Sequence, residues 1–412
     1  MKTEKSKITI IGAGIIGVAI AYRLTSAGHK VTLIDRDAPG MGASFGNAGH
    51  FATEQVFPLA SPDVLGNIPQ MMFDRRGPLV LKPAHMLRFL PWGLRFLWAS
   101  RKSAFQRGIR ATKSLNDGAL AHWRELLSET GLSDLGRTRG SLEIFQTGSA
   151  FRQAAALAER FIRHGVRTEI LNARQVRERV PALTGDLAGA LFFPDTGHTV
   201  NPHRLVTAIF DQALAKGLCF IQDDITALDH KAGRGVVMRG GKGIYETEKL
   251  VLSSGVLSRD LLKSLGLSAP LEAERGYHYM LPRPGIAVDL PLTFHERKFI
   301  LTPMEHGIRL AGTVEFAGVK APPTPNRARM LFDFARQSFP ELDDRAAEEW
   351  MGFRPTLPDY LPVIDRRDNI VFAFGHQHLG LTQAAITARL VQEMISGAAP
   401  AIDLSPFRLD RF

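Results

Sequence analysis

Lys7-Ile8-Thr9-Ile10-Ile11-Gly12-Ala13-Gly14-Ile15-Ile16-Gly17 stands near the start of the chain, and Val31-Thr32-Leu33-Ile34-Asp35 follows it. The first five residues form a β-branched run, which is a strand signal. Val18–Leu24 carries helical apolar spacing and stops near Gly28, and Val31–Asp35 reads as a second strand. In this β-α-β setting the glycine pattern has a mechanism. Gly12 permits a tight turn, Gly14 lets backbone approach a pyrophosphate, and Gly17 lets helix and strand pack closely. The helix start at Ile15 and Ile16 offers free N–H groups and a positive dipole end. Asp35, 18 residues after Gly17, suits the hydroxyls of an adenosine ribose. A lone glycine triplet is weak evidence; one bracketed by strand and helix, with an acid closing the next strand, is strong. A glycine turn that binds nothing is the poorer reading.

The chain has 412 residues, which at ~150 per domain implies two or three units. Its 45% apolar and 22% charged residues are ordinary globular values. The single cysteine, Cys219, excludes an internal disulfide framework, a CxxC pair and any multi-cysteine metal site. The first apolar run is broken by glycines and does not read as a secretory signal. No uninterrupted apolar stretch reaches ~18 residues. A cytoplasmic protein, soluble or held peripherally on the inner membrane, is therefore expected. The net charge of +10 sits almost wholly in 71–113, where ten basic residues, Arg75 and Arg76 among them, face one acid, Asp74. No nucleic-acid-binding signature accompanies this patch, so no nucleic-acid partner is expected.

Further along, Phe151–His164 and Pro202–Lys216 predict amphipathic helices. Leu142–Gln146, Ala190–Phe193, Tyr277–Leu281, Phe299–Thr302 and Ile308–Gly312 predict strands. Cys219–Ile221, Gly235–Met238 and Lys249–Leu252 suggest a return to the nucleotide-binding layer. Ile370–Phe374 is a strand entering a turn at Gly375, and Leu381–Ser396 a closing helix ended by Gly397.

These pieces resemble the FAD-dependent D-amino-acid dehydrogenase and oxidase superfamily, which includes glycine, sarcosine and D-hydroxyproline oxidoreductases. The resemblance spans about Lys7 to Gly397 and rests on separated motifs in the family's order. They are the fingerprint ending Ile34-Asp35-Arg36, Ser44-Phe45-Gly46-Asn47-Ala48-Gly49, Leu250–Gly255, Gly352-Phe353-Arg354-Pro355 and Gly375–Thr382. The resemblance implies an α/β fold: a Rossmann-like FAD-binding domain plus an interleaved mixed-sheet α+β substrate domain. The FAD-binding domain is expected in 1–70, 195–268 and 351–412, and the substrate domain in 71–194 and 269–350. FAD is expected to be noncovalent, since Cys219 falls on a strand away from the motifs. Its implied contacts are Gly12, Gly14, Ile15, Ile16, Gly17, Asp35, Arg36, Ser44, Asn47, Ala48, Gly49, Ile225, Ser254, Gly255, Gly380, Leu381 and Thr382. A helix starting near Gly380 would aim its positive end at the flavin edge where reduction collects charge.

On the substrate side, Arg354 matches the family arginine that clamps a carboxylate, a task suited to the guanidinium fork. Arg275 and Tyr277 each stand as a substrate contact or as core. His50 and His378 stand as substrate-site residues or as satisfied loop histidines, and His376 likewise. Without an acid cluster or a helical i,i+4 pair, these histidines do not predict a metal. The sequence departs from the alanine-type dehydrogenase at Arg297-Lys298-Phe299, where that enzyme has a Tyr-Lys pair. The replacement is left open among Arg297, Tyr277, His278 and Tyr279.

The resemblance implies hydride transfer from the α-carbon of a D-amino acid, or of a cyclic D-imino acid such as D-proline or hydroxy-D-proline, to flavin N5. A quinone or carrier is the expected acceptor. A sarcosine-type oxidase and a nucleotide-retaining protein without turnover are the competing classes. In His85–Lys102, Leu87, Leu90, Leu94 and Leu97 recur at helical spacing, beside Trp98, Arg88, Arg95 and Lys102. Pro91 and Gly93 predict a break into two short helices. This basic segment reads either as a helix lying in an anionic membrane surface or as an ordinary packed or interface helix.

Overall fold

The computed structural model describes residues 6–63, 77–230 and 235–412. Arg75 and Arg76 of the basic segment lie outside these. Two sheets organise the chain. The first has six strands in the order Cys219–Gln222, Lys30–Asp35, Lys7–Ile11, Lys249–Leu252, Ile370–Phe374 and Val363–Arg367. The first five pair in parallel and the last antiparallel. The central strands Lys7–Ile11, Lys249–Leu252 and Ile370–Phe374 are mostly apolar and buried because both faces are covered, as parallel sheets require. Helices Ile15–Ser26, Pro202–Ala215 and Gly380–Ser396 bury Val18, Ile209 and Leu390 in the core on one face. On the other lies a three-stranded antiparallel sheet of Ile225–His230, Val236–Gly240 and Ile244–Thr247. The expected strand at Gly235–Met238 thus joins this covering layer and not the parallel sheet.

The second sheet is mixed and nine-stranded. Its order is Glu348–Thr356, Glu272–Leu281, Gly307–Phe316, Phe299–Met304, Leu292–Phe294, Ser141–Phe145, Gly189–Phe193 and Glu169–Asn172, with Leu79–Leu81 alongside Gly307–Phe316. The longest strands bring Glu272–Leu281 to lie between Glu348–Thr356 and Gly307–Phe316. The helix expected over Phe151–His164 is two pieces, Gly148–Phe151 and Ala154–Arg163. Thr147 caps the first by accepting the Ala150 N–H, and Phe151 turns in against Phe145.

Met86–Ala99 is one continuous helix with Pro91 inside it, so the expected break is absent. Proline at 91 removes the bond to the carbonyl of Leu87. Leu87 is 86% exposed, so water reaches that carbonyl and the helix survives. Trp92, Phe89 and Phe96 pack against Phe316 and Tyr360, while Leu90, Leu94, Leu97 and Trp98 are exposed. No helix among the described residues is long and apolar enough to cross a membrane.

Candidate functional site

The turn from the first strand into its helix lies at the carboxyl end of the parallel sheet, where such sheets bind ligands. Gly12 is left-handed at φ +107°, and a Cβ there would collide with the backbone of Ser253. A Cβ on Gly17 would collide with the Gly12 carbonyl, so helix and turn meet through backbone alone. Asp35 ends the neighbouring strand. Its Oδ2 accepts the Ala13 N–H at 2.6 Å and its Oδ1 accepts the Asp37 N–H at 3.0 Å. Burial raises its carboxyl above the usual range, opposed by these two donors.

A cavity of about 1140 Å³ opens from this turn. Gly12–Ile16, Asp35, Arg36, Ser44, Asn47, Ala48, Ile225, Ser254, Gly255, Gly380 and Leu381 line it. Ser44 accepts the Ile15 N–H at 3.0 Å, and a Cβ on Gly14 would lie 3.3 Å from its Oγ. The loop Ser44–Gly49 is held from the second sheet. Arg309 donates to the carbonyl oxygens of Asn47 at 2.6 Å and Phe45 at 3.3 Å, and His278 Nδ1 lies 3.0 Å from that of Gly46. Burial lowers Arg309 to about 10 and His278 to about 3, so the histidine is neutral and donates through Nδ1. Across the loop lies Trp350; a Cβ on Gly46 or Gly352 would run into its indole.

Arg354 reaches the same cavity from the second sheet. It lies directly opposite Glu274 across the strand pair, and Gly276 lies opposite Gly352. Its Nη1 donates to Glu274 Oε1 at 2.9 Å and to the Thr313 carbonyl at 3.0 Å. A Cβ on Gly276 would overlap the guanidinium, so that glycine makes room for it. The other oxygen of Glu274 accepts from Thr356 at 3.1 Å and from the Tyr360 hydroxyl at 3.3 Å. Burial, and then Glu274, push the Tyr360 phenol well above its usual value, so it stays a donor.

His50, His376 and His378 all line the cavity. Burial lowers His50 and His376 to about 3 and His378 to about 4; the charges of His198 and of Arg354 add to the effect at His50 and His378 respectively. His376 Nε2 lies 3.1 Å from Thr387 Oγ1, whereas His50 Nε2 has no partner among the described residues.

Several expected residues either do not reach the cavity or offer it no free polar group. Arg275 is fully buried on the opposite face of its strand, donating to carbonyls of Gly318, Ala321 and Pro322 beside Glu315. The ring of Tyr277 borders the cavity, but its hydroxyl is committed: it donates to Glu315 and accepts from the Thr324 N–H. Thr382 is buried, and its Oγ1 accepts the Ala52 N–H. Gly49, left-handed at φ +77°, packs on Met304 and the Thr199 carbonyl, and Gly17 packs on Gly12. Of the candidates for the missing tyrosine, Arg297 stacks on Phe334, Tyr279 bonds Asp344 and His278 bonds the backbone of the Ser44–Gly49 loop at Gly46. Lys298 lines the cavity from an exposed position.

Sequence reasoning missed Glu54, Glu274, Gly276, Arg309, Trp350 and Tyr360. Glu54, alone among His50-Phe51-Ala52-Thr53-Glu54 in being acidic, was a signal. Gly46 and Gly352, which flank Trp350 in space, stand in two of the quoted motifs, but these are far apart in sequence and their spacing does not show that they meet at Trp350.

The cavity exceeds the range of roughly 300–1,000 Å³ usual for one small ligand. With a backbone cradle for a pyrophosphate, Asp35 at one end and Arg354 at the other, the residues present fit a dinucleotide together with a small carboxylate. The family model of FAD-dependent oxidoreductases matches residues 7–394. The chain is 34% identical to a D-amino-acid oxidase of Bradyrhizobium diazoefficiens, with 99% of each chain covered. It is 32% identical to a D-amino acid dehydrogenase of Paramagnetospirillum magneticum, covering 98% of this chain and 99% of that one. The solved glycine oxidase of Geobacillus kaustophilus superposes with a TM-score of 0.76 at 21% identity, over 100% of both chains.

Proposed function

Because this chain belongs to the FAD-dependent oxidoreductases, we propose that it oxidises a D-amino acid, or a cyclic D-imino acid of the proline or hydroxyproline type, at the α-carbon. The observation that carries this reading is Arg354, whose guanidinium is positioned by Glu274 at the wall of a cavity that begins at the glycine turn. Bound FAD supplies the acceptor for the hydride that leaves the α-carbon. The chain does the rest. Backbone at Gly12–Ile16 holds the pyrophosphate, and Asp35 the ribose hydroxyls. Ser44, Asn47, Ala48, Ile225, Ser254 and Gly255 enclose the remainder, and the first turn of the helix at Gly380 directs its positive end toward it. Arg354 pairs with the substrate carboxylate and so sets the direction of the α-carbon. The buried histidines and Trp350 exclude water from the reacting face. The substrate amine releases one proton as its imine forms, and an acyclic imine then hydrolyses to a 2-oxo acid. We assign 1–70, 195–268 and 351–412 to the cofactor and 71–194 and 269–350 to the substrate, with the strand Glu348–Thr356, and Arg354 on it, going with the second sheet and so with the substrate.

For the second half-reaction the acceptor we favour is a quinone, met at an anionic membrane surface. Leu90, Leu94 and Leu97 of the helix Met86–Ala99 line the cavity while remaining largely exposed, and Arg88, Arg95, Arg101 and Lys102 are exposed beside them. Such a helix suits the headgroup region.

The test is the visible spectrum of the purified protein, titrated anaerobically with D- and L-amino acids, D-proline, cis-4-hydroxy-D-proline and sarcosine. Bleaching of the flavin bands by D-substrates is the expected result. Bleaching by sarcosine alone would replace this reading with a secondary-amine oxidase. Bleaching by none of them would overturn it.

A further inference from the structure

We propose that the part of the cavity bounded by Glu54 and Glu143 is a subsite for a cationic group, an ammonium or guanidinium, at the end of the substrate side chain; this rests on the amino-acid reading above. Both residues line the cavity. Glu54 sits in a tight turn, with the Val56 N–H bonded to its own carbonyl at 2.8 Å and Asn116 holding the Gln55 carbonyl at 3.1 Å. The turn fixes the backbone, and the carboxyl is left almost without partners. Its side chain is 8% exposed, and its nearest ionisable neighbour, His50 Nδ1, is 3.8 Å away, beyond hydrogen-bond distance. Glu54 Oε2 has no partner among the described residues.

Leaving a carboxyl oxygen buried and unbonded costs free energy, on the order of 1–3 kcal/mol. Ordinary structural acids in this molecule avoid that cost, as Glu274 does with Arg354, Thr356 and Tyr360. Burial raises Glu54 to about 8 against the opposing pull of its own backbone N–H, and the charge of Glu143 adds to the rise. Among the described residues Glu143 has one close partner, His295 at 2.7 Å. Lys298, a cation that lines the cavity, is exposed to solvent. A side chain ending in a cation supplies what Glu54 lacks: it ionises Glu54 and bonds its free oxygen. An apolar side chain leaves Glu54 as it is, and an anionic one adds repulsion.

The test uses the flavin-loaded protein and ligands that lack an α-amine and therefore do not react. Binding of 4-aminobutyrate, 5-aminopentanoate and 6-aminohexanoate is compared with that of butyrate, pentanoate and hexanoate by flavin difference spectra and calorimetry. At least one ω-amino acid is expected to bind about tenfold tighter than its partner, and Glu54→Gln is expected to abolish most of that ratio while binding the fatty acid unchanged. The wild-type ratio needs no variant, so it stands even if Glu54→Gln folds poorly. Equal or weaker binding of every ω-amino acid overturns the cationic subsite and leaves the carboxylate site intact. A preference that persists undiminished in both Glu54→Gln and Glu143→Gln also overturns it. Binding of neither series overturns it together with the amino-acid reading.

Discussion

Nη1 of Arg354 stands 2.9 Å from Oε1 of Glu274, its directly opposed neighbour on the adjacent antiparallel strand. This pairing uses one edge of the guanidinium and leaves the other turned to the cavity over Gly276. Two different effects follow from removing either partner. Arg354→Met deletes the charge-assisted contact with the substrate and is expected to raise KM for a carboxylate substrate roughly 100-fold. Glu274→Gln keeps the arginine but frees its direction, so kcat is expected to fall about tenfold with a smaller change in KM. Steady-state kinetics on both variants separates the two; an equal loss in both constants would count against the positioning role.

Arg309 ties the Ser44–Gly49 loop to the second sheet through the Asn47 and Phe45 carbonyls. Arg309→Met removes those donors and leaves the carbonyls unpaired. FAD is expected to bind roughly tenfold more weakly, measured as flavin released on dilution. Arg309→Lys is expected to recover part of this. Unchanged retention in the methionine variant would mean the loop is held without it.

The buried titratable groups fix the sign of the pH dependence of stability. His50, His278 and His376 have folded values of about 3, and His198 and His378 of about 4, against 6.5 unfolded. The unfolded chain takes up protons first, so their contribution is fully present above 6.5 and lost as pH falls toward 3. Glu54 acts oppositely. Its folded value of about 8 against 4.5 unfolded gives stability that is fully present below 4.5 and lost as pH rises through 8. Calorimetry should show the melting temperature falling steeply below about pH 5. Glu54→Gln should raise it by a few degrees near pH 8.5, roughly 1 kcal/mol or more, with little change near pH 5. A variant destabilised equally at both values would show that Glu54 is uncharged throughout.

The helix Met86–Ala99 presents Leu87 at 86% exposure and Trp98 at 67%, with Arg101 stacked on the Trp98 ring at 3.0 Å. Sedimentation with vesicles rich in phosphatidylserine is expected to carry the protein down at low salt, and less so as salt screens the basic face. Leu90→Asp with Trp98→Asp should remove the binding while leaving the flavin spectrum intact. Sedimentation no better than that of this double variant would leave the face as an interface between proteins.

The parallel sheet and its cofactor turn were legible because glycine at 12, 14 and 17 answers to backbone geometry, which sequence spacing records directly. The substrate side was less so. Strand alternation predicts that Glu274 and Gly276 share a face and that Arg275 takes the other, but nothing local says which face meets the cavity. That is decided by the loop Gly318–Pro322, which comes over 40 residues later and covers Arg275. Pro91 misled for a related reason: whether a lost helix bond matters depends on whether solvent reaches Leu87, a property of packing and not of sequence.

The strand Ile370–Phe374 lies in the interior of the parallel sheet, between Lys249–Leu252 and Val363–Arg367, although in sequence it follows every other parallel strand of that sheet. During translation the earlier strands must therefore wait with an open, apolar sheet edge until this one arrives. Such a long-range topology folds slowly, and the waiting edge is where a nascent chain would recruit a chaperone or aggregate. It also makes the cavity a late product of folding, because Gly375–Gly380, part of its wall, is placed only when that strand enters the sheet.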